Sequence, residues 1–311
     1  MGKRKRDPKN EEGEVSTAAD HTGSIPKAQP GNFVPSHSSN TTTIQVIAGS
    51  YDRVLHGLTA TLSNPLEEDT ATAQAVEFAD TFLFNAHTSA IRCLALSPLP
   101  SSEDTTQSPK LILASGSTDE RINLYHIAAS VSSVPEVKGL PLPSLGSTRV
   151  KENPRNRELG SLLHHASSIT ALYFPTRSKL ISAAEDNTIA VSRTRDWTVL
   201  STIKAPVPKA VGRPSGDTAP LGGTPAGIND FAVHPSMKLM ISVGKGEKCM
   251  RLWNLVTGRK AGVLTFDRDI LQEIGEGKWG SGQGRRVEWN GNGDEFVVGF
   301  ERGAVVFGMV H

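Results

Sequence analysis

Apolar and polar positions along this chain follow a short period. Apolar residues alternate with polar ones, or run briefly, and then break at Gly, Pro, Ser or Asp, which is the pattern of strands joined by tight turns. Ile44–Tyr51 and Val54–Leu62 predict a hairpin around Asp52-Arg53, and Phe78–Phe84 predicts a third strand leading into Ala86-His87. Ile91–Leu96, Leu111–Ser115, Ile122–Ile127 and Leu159–Leu163 predict a second group. A third comprises Ile169–Phe174, Lys179–Ser182, Ile189–Thr194 and Trp197–Ile203. A fourth comprises Ile228–His234, Leu239–Val243, Met250–Leu255 and Lys260–Phe266, with Val256-Thr257-Gly258 as the turn between its last two strands. Arg286–Trp289, Glu295–Phe300 and Ala304–Met309 form the last. No stretch sustains a helical period, so the expected class is all-β.

Three stretches repeat one phrase. Leu113–Tyr125, Leu180–Ser192 and Met240–Trp253 each give an apolar strand containing Ser, a tight polar turn, and a second strand of alternating character. Such units, recurring with other strands between them, encode a radial array of small sheets. Before the array, residues 1–42 are polar, with few bulky apolar groups, and are expected to be a disordered basic and polar tail. The array occupies 43–311, with loop insertions at 99–109, 128–157, 204–226 and 267–285.

The spacing of His87, Ser115, Asp119 and Tyr125, and of His165, Ser182 and Asp186, resembles the WD40 repeat. The resemblance implies a β-propeller in which His, Ser, Asp and a strand-end aromatic pin each blade through a buried hydrogen-bond network. Ser242 and Trp253 carry the same pattern in the fourth unit, where Gly246 stands at the Asp offset and the preceding His is lost. Ser, His and Asp also spell a hydrolase triad. Here the trio recurs, the Ser lies inside a strand, and no G-x-S-x-G elbow is present, so no catalytic residue is assigned.

Composition adds bounds. The formal net charge of the 311 residues is +1, so no global field draws nucleic acid or an anionic membrane. Cys93 and Cys249 lack metal-site spacing and read as inert thiols, and His164-His165 reads as one repeat histidine with a surface neighbour. Neither a metal, a cofactor nor a small-molecule substrate is expected. The glycine-rich run from Gly275 to Arg286 lacks a following helix and a Gly-Lys-Ser/Thr; with Trp279 it reads as a long solvent loop, or as a grip on RNA by stacking. No window is apolar enough to span a membrane. Lys3, Arg4, Lys5 and Arg6 form a nuclear-import type cluster.

Further phrases narrow the resemblance. Ala48-Gly-Ser-Tyr51, Asn85–Ala95, Ala114–Ile122, Leu159–Leu172 and Arg251-Leu-Trp-Asn-Leu255 are similar to the PAK-interacting, maintenance-of-killer group of WD-repeat ribosome assembly factors. That similarity implies a non-enzymatic scaffold in the nucleus and nucleolus. It would contact pre-ribosomal assembly factors and rRNA during large-subunit maturation. The alternative it implies is a regulatory adaptor that restrains a PAK-type protein kinase. The group forms seven-bladed rings, whereas five blades are countable here. The first lacks its first strand and the fifth its last, so two blades are expected to be missing at the C-terminus of a shortened product, or the ring closes with five. Partner contacts are expected at the blade-top turns, through Thr118, Glu120, Arg121, Glu185, Asn187, Lys245, Lys248 and Arg302.

Overall fold

The computed structural model describes residues 41–63, 76–99, 110–128, 153, 155–208, 227–276 and 280–309. The import cluster Lys3–Arg6, Trp279 and most of the insertions at 99–109, 128–157 and 204–226 lie outside the described residues. Asn40–His311 forms one compact unit.

Among the described residues its strands lie in five antiparallel sheets, each a meander. Sheet 1 holds β1 (Thr41–Gly49), β2 (Val54–Ser63) and β3 (Val76–Asn85). Sheet 2 holds β4 (Ile91–Leu96), β5 (Lys110–Ser117), β6 (Ile122–Ala128) and β7 (Arg157–Leu162). In sheet 3 are β8 (Ile169–Thr176), β9 (Lys179–Ala184), β10 (Thr188–Arg193) and β11 (Val199–Lys204). In sheet 4 are β12 (Ile228–Val233), β13 (Leu239–Gly244), β14 (Cys249–Asn254) and β15 (Arg259–Thr265). Sheet 5 comprises β16 (Arg286–Trp289), β17 (Glu295–Gly299) and β18 (Ala304–Gly308).

Among the described residues both end sheets are three-stranded, as the pattern predicts. Sheet 1 shows no strand in the inner place among the described residues. β3 runs through Ala86-His87 into β4 just as β7 runs through His164-His165 into β8, so β1, β2 and β3 correspond to β5, β6 and β7.

Alternation puts one apolar row on each side of a strand, and the rows meet in four seams. Leu55, Phe82, Leu113, Tyr125 and Ile127 join sheets 1 and 2. Ile112, Ala114, Leu124, Ile169, Phe174 and Leu180 join sheets 2 and 3. Between sheets 3 and 4 lie Ile181, Ile189, Phe231, Met240 and Trp253, and between 4 and 5 lie Ile241, Met250, Phe266, Trp289 and Phe296. Each sheet is thus buried on both faces where it has two neighbours. That explains why β5, β9 and β13 read as continuous apolar runs ending in Ser and small residues.

Three local expectations need correction. The segment 267–285, read as a loop insertion, contains a short helix α1 (Arg268–Glu273), whose Leu271 packs into the last seam. A helix of under two turns leaves no periodic trace long enough to detect. Trp197, expected to open a strand, lies in the preceding turn at φ 58°, and β11 begins at Val199. β1 opens at Thr41, two residues before the expected start at 43. Among the described residues no helix is long and apolar enough to cross a membrane.

Candidate functional site

The turns that follow β1, β5 and β9 share one backbone shape. Arg53, Glu120 and Asn187 sit in left-handed conformations at φ 72°, 67° and 61°, each directly after an Asp. A left-handed residue reverses the chain within two residues and aims the preceding carboxylate back under the sheet. In sheets 2 and 3 that carboxylate meets the histidine that precedes the inner strand.

In sheet 2, His87 Nδ1 lies 3.1 Å from Asp119 Oδ2, and His87 Nε2 lies 2.8 Å from Ser115 Oγ. A carboxylate can only accept, so Nδ1 carries the proton and Nε2 accepts the seryl hydroxyl. Main-chain N–H groups of Thr88 and Arg121 also donate to Asp119. Burial alone would raise the Asp119 carboxyl, but these bonds and His87 outweigh it and hold its pKa below the usual value. Tyr125 is buried at the strand end, beside the side chains of Asn123 and Ser115, and burial pushes its hydroxyl up to about 12.

Sheet 3 repeats the device with an addition. His165 Nε2 lies 2.8 Å from Ser182 Oγ, and Nδ1 lies 3.3 Å from Asp186 Oδ2 and 2.9 Å from Thr188 Oγ1. His164 is more than a surface neighbour: its Nε2 reaches the same Ser182 Oγ at 3.0 Å, and its ring packs on His165 with centroids 4.4 Å apart. The only consistent proton arrangement runs from His164 N–H to Ser182, from Ser182 O–H to His165, and from His165 N–H to Asp186. Burial, together with the neighbouring His165, drives His164 down to about 4. Asp186 is held well below the carboxylate range: burial opposes this, but hydrogen bonds from His165, Thr188 and the Ala166 N–H prevail. Ser182 and Ser115 are fully buried at 0% exposure, so neither hydroxyl can meet a substrate. The geometry is that of a staple.

Sheets 4 and 5 pin themselves by other means. Trp253 Nε1 donates to Ser242 Oγ at 2.8 Å. At the Asp offset, Gly246 turns the chain at φ 69°, and a bidentate pair between Glu247 and buried Arg251 ties the turn to β14 instead. Sequence reasoning missed this pair, and also Glu276 and Asn123, which bonds Ala86 O and Ser161. The polar Asn123 and Arg251 inside otherwise apolar strands were the available signal; Glu276 had none.

A main-chain tie accompanies the pins. The first residue of each turn donates its N–H to the carbonyl just before the inner strand: Thr118 to Ala90 at 3.0 Å, Glu185 to Ser168 at 3.0 Å, Lys245 to Gly227 at 2.8 Å. In sheet 5 a carboxylate replaces the carbonyl, and Glu301 N–H donates to Glu276 Oε1 at 3.0 Å.

These turns carry the residues expected to meet partners. Glu120, Arg121, Lys248 and Arg302 are exposed and Thr118 is half-buried. Glu185 is engaged: it pairs with Arg92 of β4 at 3.0 Å and with Lys245, linking the turns of sheets 3 and 4 to the inner strand of sheet 2. Asn187 does not fit the expectation. It is buried, and its Oδ1 accepts the Gly227 N–H at 2.9 Å, so it holds the next blade and presents nothing to solvent.

Between the inner strands lies a cavity of about 470 Å³, lined by Arg92, Cys93, Tyr173, Asp230, Arg286 and Glu288 among others. Asp230 Oδ2 accepts the Val287 N–H at 3.0 Å, yet burial dominates and lifts its carboxyl to about 6. Burial likewise pushes the Cys93 thiol up to about 12. Among the described residues no group of three or more His, Cys, Asp or Glu is placed to hold a metal ion.

The family described as WD domain, G-beta repeat matches residues 79–126 and 156–191, which span the pins of sheets 2 and 3. Over 280 residues the chain is 29% identical to Protein MAK11 of Saccharomyces cerevisiae, covering 85% of this chain and 51% of that one. It is 27% identical over 255 residues to a p21-activated protein kinase-interacting protein 1-like of Danio rerio, covering 82% and 48%. The Xenopus laevis protein of the same description is 26% identical over 256 residues, again covering 82% and 48%. The chain spans about half the length of these relatives.

Proposed function

We propose that this chain, an all-β carrier of WD40 repeats, is a non-enzymatic scaffold in the assembly of the large ribosomal subunit. The similarity to Protein MAK11 across most of the chain carries the reading. It agrees with the phrases that resemble the maintenance-of-killer group of assembly factors. Scaffolding suits the chemistry of the sheets. The Ser–His–Asp groups are consumed in holding the blades, and the groups left at the surface are turn-borne charges such as Glu120, Arg121, Lys248 and Arg302. Rigid blades presenting charged turns form a surface for protein and rRNA contacts. The proposed location is the nucleus and nucleolus, reached through Lys3–Arg6.

A second reading is supported by the Danio rerio and Xenopus laevis relatives, whose names describe interaction with a p21-activated protein kinase. On that reading the same turns restrain a kinase. Affinity purification of the tagged protein from nuclear extract separates the two. Co-purifying large-subunit assembly factors and precursor rRNA support the scaffold. Recovery of a kinase without them supports the adaptor and contradicts the scaffold.

A further inference from the structure

Charge is unevenly balanced over the sheets. Arg92, Arg193, Lys245, Arg251, Arg285 and Arg286 each pair with an Asp or a Glu. Lys110, Arg157 and Arg177 have no carboxylate partner among the described residues. Lys110 opens β5, Arg157 opens β7, and Arg177 lies in the turn between β8 and β9. All three therefore stand at the end of sheets 2 and 3 away from the pinned turns.

Strand register gathers them. Ile112 stands opposite His126, and His126 opposite Arg157, so the three share one face of sheet 2, with Lys110 two residues before Ile112 on the same face. That face meets sheet 3, because Ile112 and Ala114 pack in the seam with Phe174 and Leu180. From sheet 3, Arg177 reaches across, and its Nη2 donates to the Lys110 carbonyl at 2.9 Å. Glu158 follows Arg157 in sequence but stands opposite Tyr125, on the face toward sheet 1. Burial and the charges of Arg157, Lys110 and Arg177 hold the His126 imidazole below its ordinary value. Two nitrogens of the cluster, Arg177 Nη1 and His126 Nδ1, are buried and have no hydrogen-bond partner among the described residues. Buried polar nitrogens take a partner, and unbalanced cations around them favour an anionic one.

We infer that this end of sheets 2 and 3 is a phosphate-binding site that holds the backbone of an RNA strand. Lysine and arginine are the side chains that take phosphate oxygens, arginine through its planar fork. β6 separates β5 from β7, so Lys110 and Arg157 stand on strands about 10 Å apart. A row of that length, continued by Arg177 on the next sheet, matches successive phosphates of one strand better than the single phosphate of a phosphopeptide. Such contacts position an RNA without reading its sequence. The inference rests on the assembly reading above only in naming RNA.

The test uses the whole 311-residue protein and a short labelled oligouridylate, read by fluorescence anisotropy over a salt series. Saturable binding that weakens with salt is expected. Lys110→Gln combined with Arg157→Gln should weaken it about tenfold and flatten the slope of log affinity against log salt by about 1.4, about 0.7 for each lost contact. Both residues are exposed, so this variant should melt like the parent, and its loss of binding is not loss of fold. Arg259→Gln combined with Lys260→Gln removes the same charge from exposed positions of β15 and should leave affinity and slope near the parent's. RNA should also raise the pH at which the His126 imidazole titrates, followed by NMR, because phosphate offsets the surrounding cations. Absence of saturable binding, a slope unchanged in the first variant, an equal loss in the second, or a His126 titration that RNA does not move would overturn the inference. A phosphoserine peptide that binds in place of the oligouridylate, and that the first variant loses, would give the site to a phosphoprotein and overturn the RNA assignment. A chain that fails this test yet captures assembly factors would overturn the site and leave the scaffold standing.

Discussion

Glu276 Oε1 accepts the main-chain N–H of Glu301 at 3.0 Å, where the turns of sheets 2, 3 and 4 use the carbonyls of Ala90, Ser168 and Gly227. A buried side chain from the α1 loop thus does for sheet 5 what the backbone does elsewhere. Glu276→Ala should leave that N–H unsatisfied and cost about 1–3 kcal/mol. Glu276→Gln keeps an acceptor and should cost less. Urea unfolding of both variants checks this, and equal stability of the two would contradict the role assigned to the acceptor.

Ser182 serves two histidines at once, accepting from His164 and donating to His165. Ser182→Ala should therefore destabilise the protein by about 1–3 kcal/mol, with Ser115→Ala acting in the same direction. An unchanged melting temperature for Ser182→Ala would count against the pin.

Stability should depend on pH through two opposed groups. The folded state holds His164 down to about 4 from an ordinary 6.5, so between these values the unfolded chain binds more protons and stability rises with pH. Asp230 is lifted to about 6 from an ordinary 3.8, so in that window the folded chain binds more protons and stability falls as pH rises. Melting temperatures taken across both windows should separate them. His164→Gln should remove the rising component, and Asp230→Asn the falling one. Asp119 and Asp186, both depressed, contribute stability that is present above the ordinary 3.8 and is lost as pH falls through their folded values.

Both cysteines are half-buried, with their thiols raised by burial, Cys93 to about 12. Little thiolate is present near neutrality. Thiol reagents should label the folded protein slowly and the urea-unfolded protein quickly, and rapid labelling of the native state would contradict the burial described.

Glu185 links Arg92 and Lys245, but all three remain partly exposed to solvent. Such pairs contribute little, so Glu185→Gln should cost less than about 1 kcal/mol. Its effect should show in partner capture, because Arg92 of β4 and Lys245 of the turn lose their shared carboxylate. A large loss of stability would instead make Glu185 a structural pin.

Nearly every strand was legible because the three middle blades bury both faces and the end blades one, and the turns carry Asp, Asn, Ser or Gly where the chain reverses. His87, Ser115, Asp119, His165, Ser182 and Asp186 were legible as a network because the same polar types recur at fixed offsets. Asn187 was misread: its polarity suggested a surface group, whereas its side chain bonds the backbone of a neighbouring blade that only the three-dimensional packing brings near. Glu276 and the Glu247–Arg251 pair replace a repeat element with non-repeat residues, so no periodicity could reveal them.

The scaffold reading meets its most direct test in the level of large-subunit rRNA precursors after depletion of the protein. Accumulation of unprocessed precursors, reversed by restoring the wild-type chain, is the predicted result. Precursor levels and large-subunit yield that stay unchanged under full depletion would contradict it.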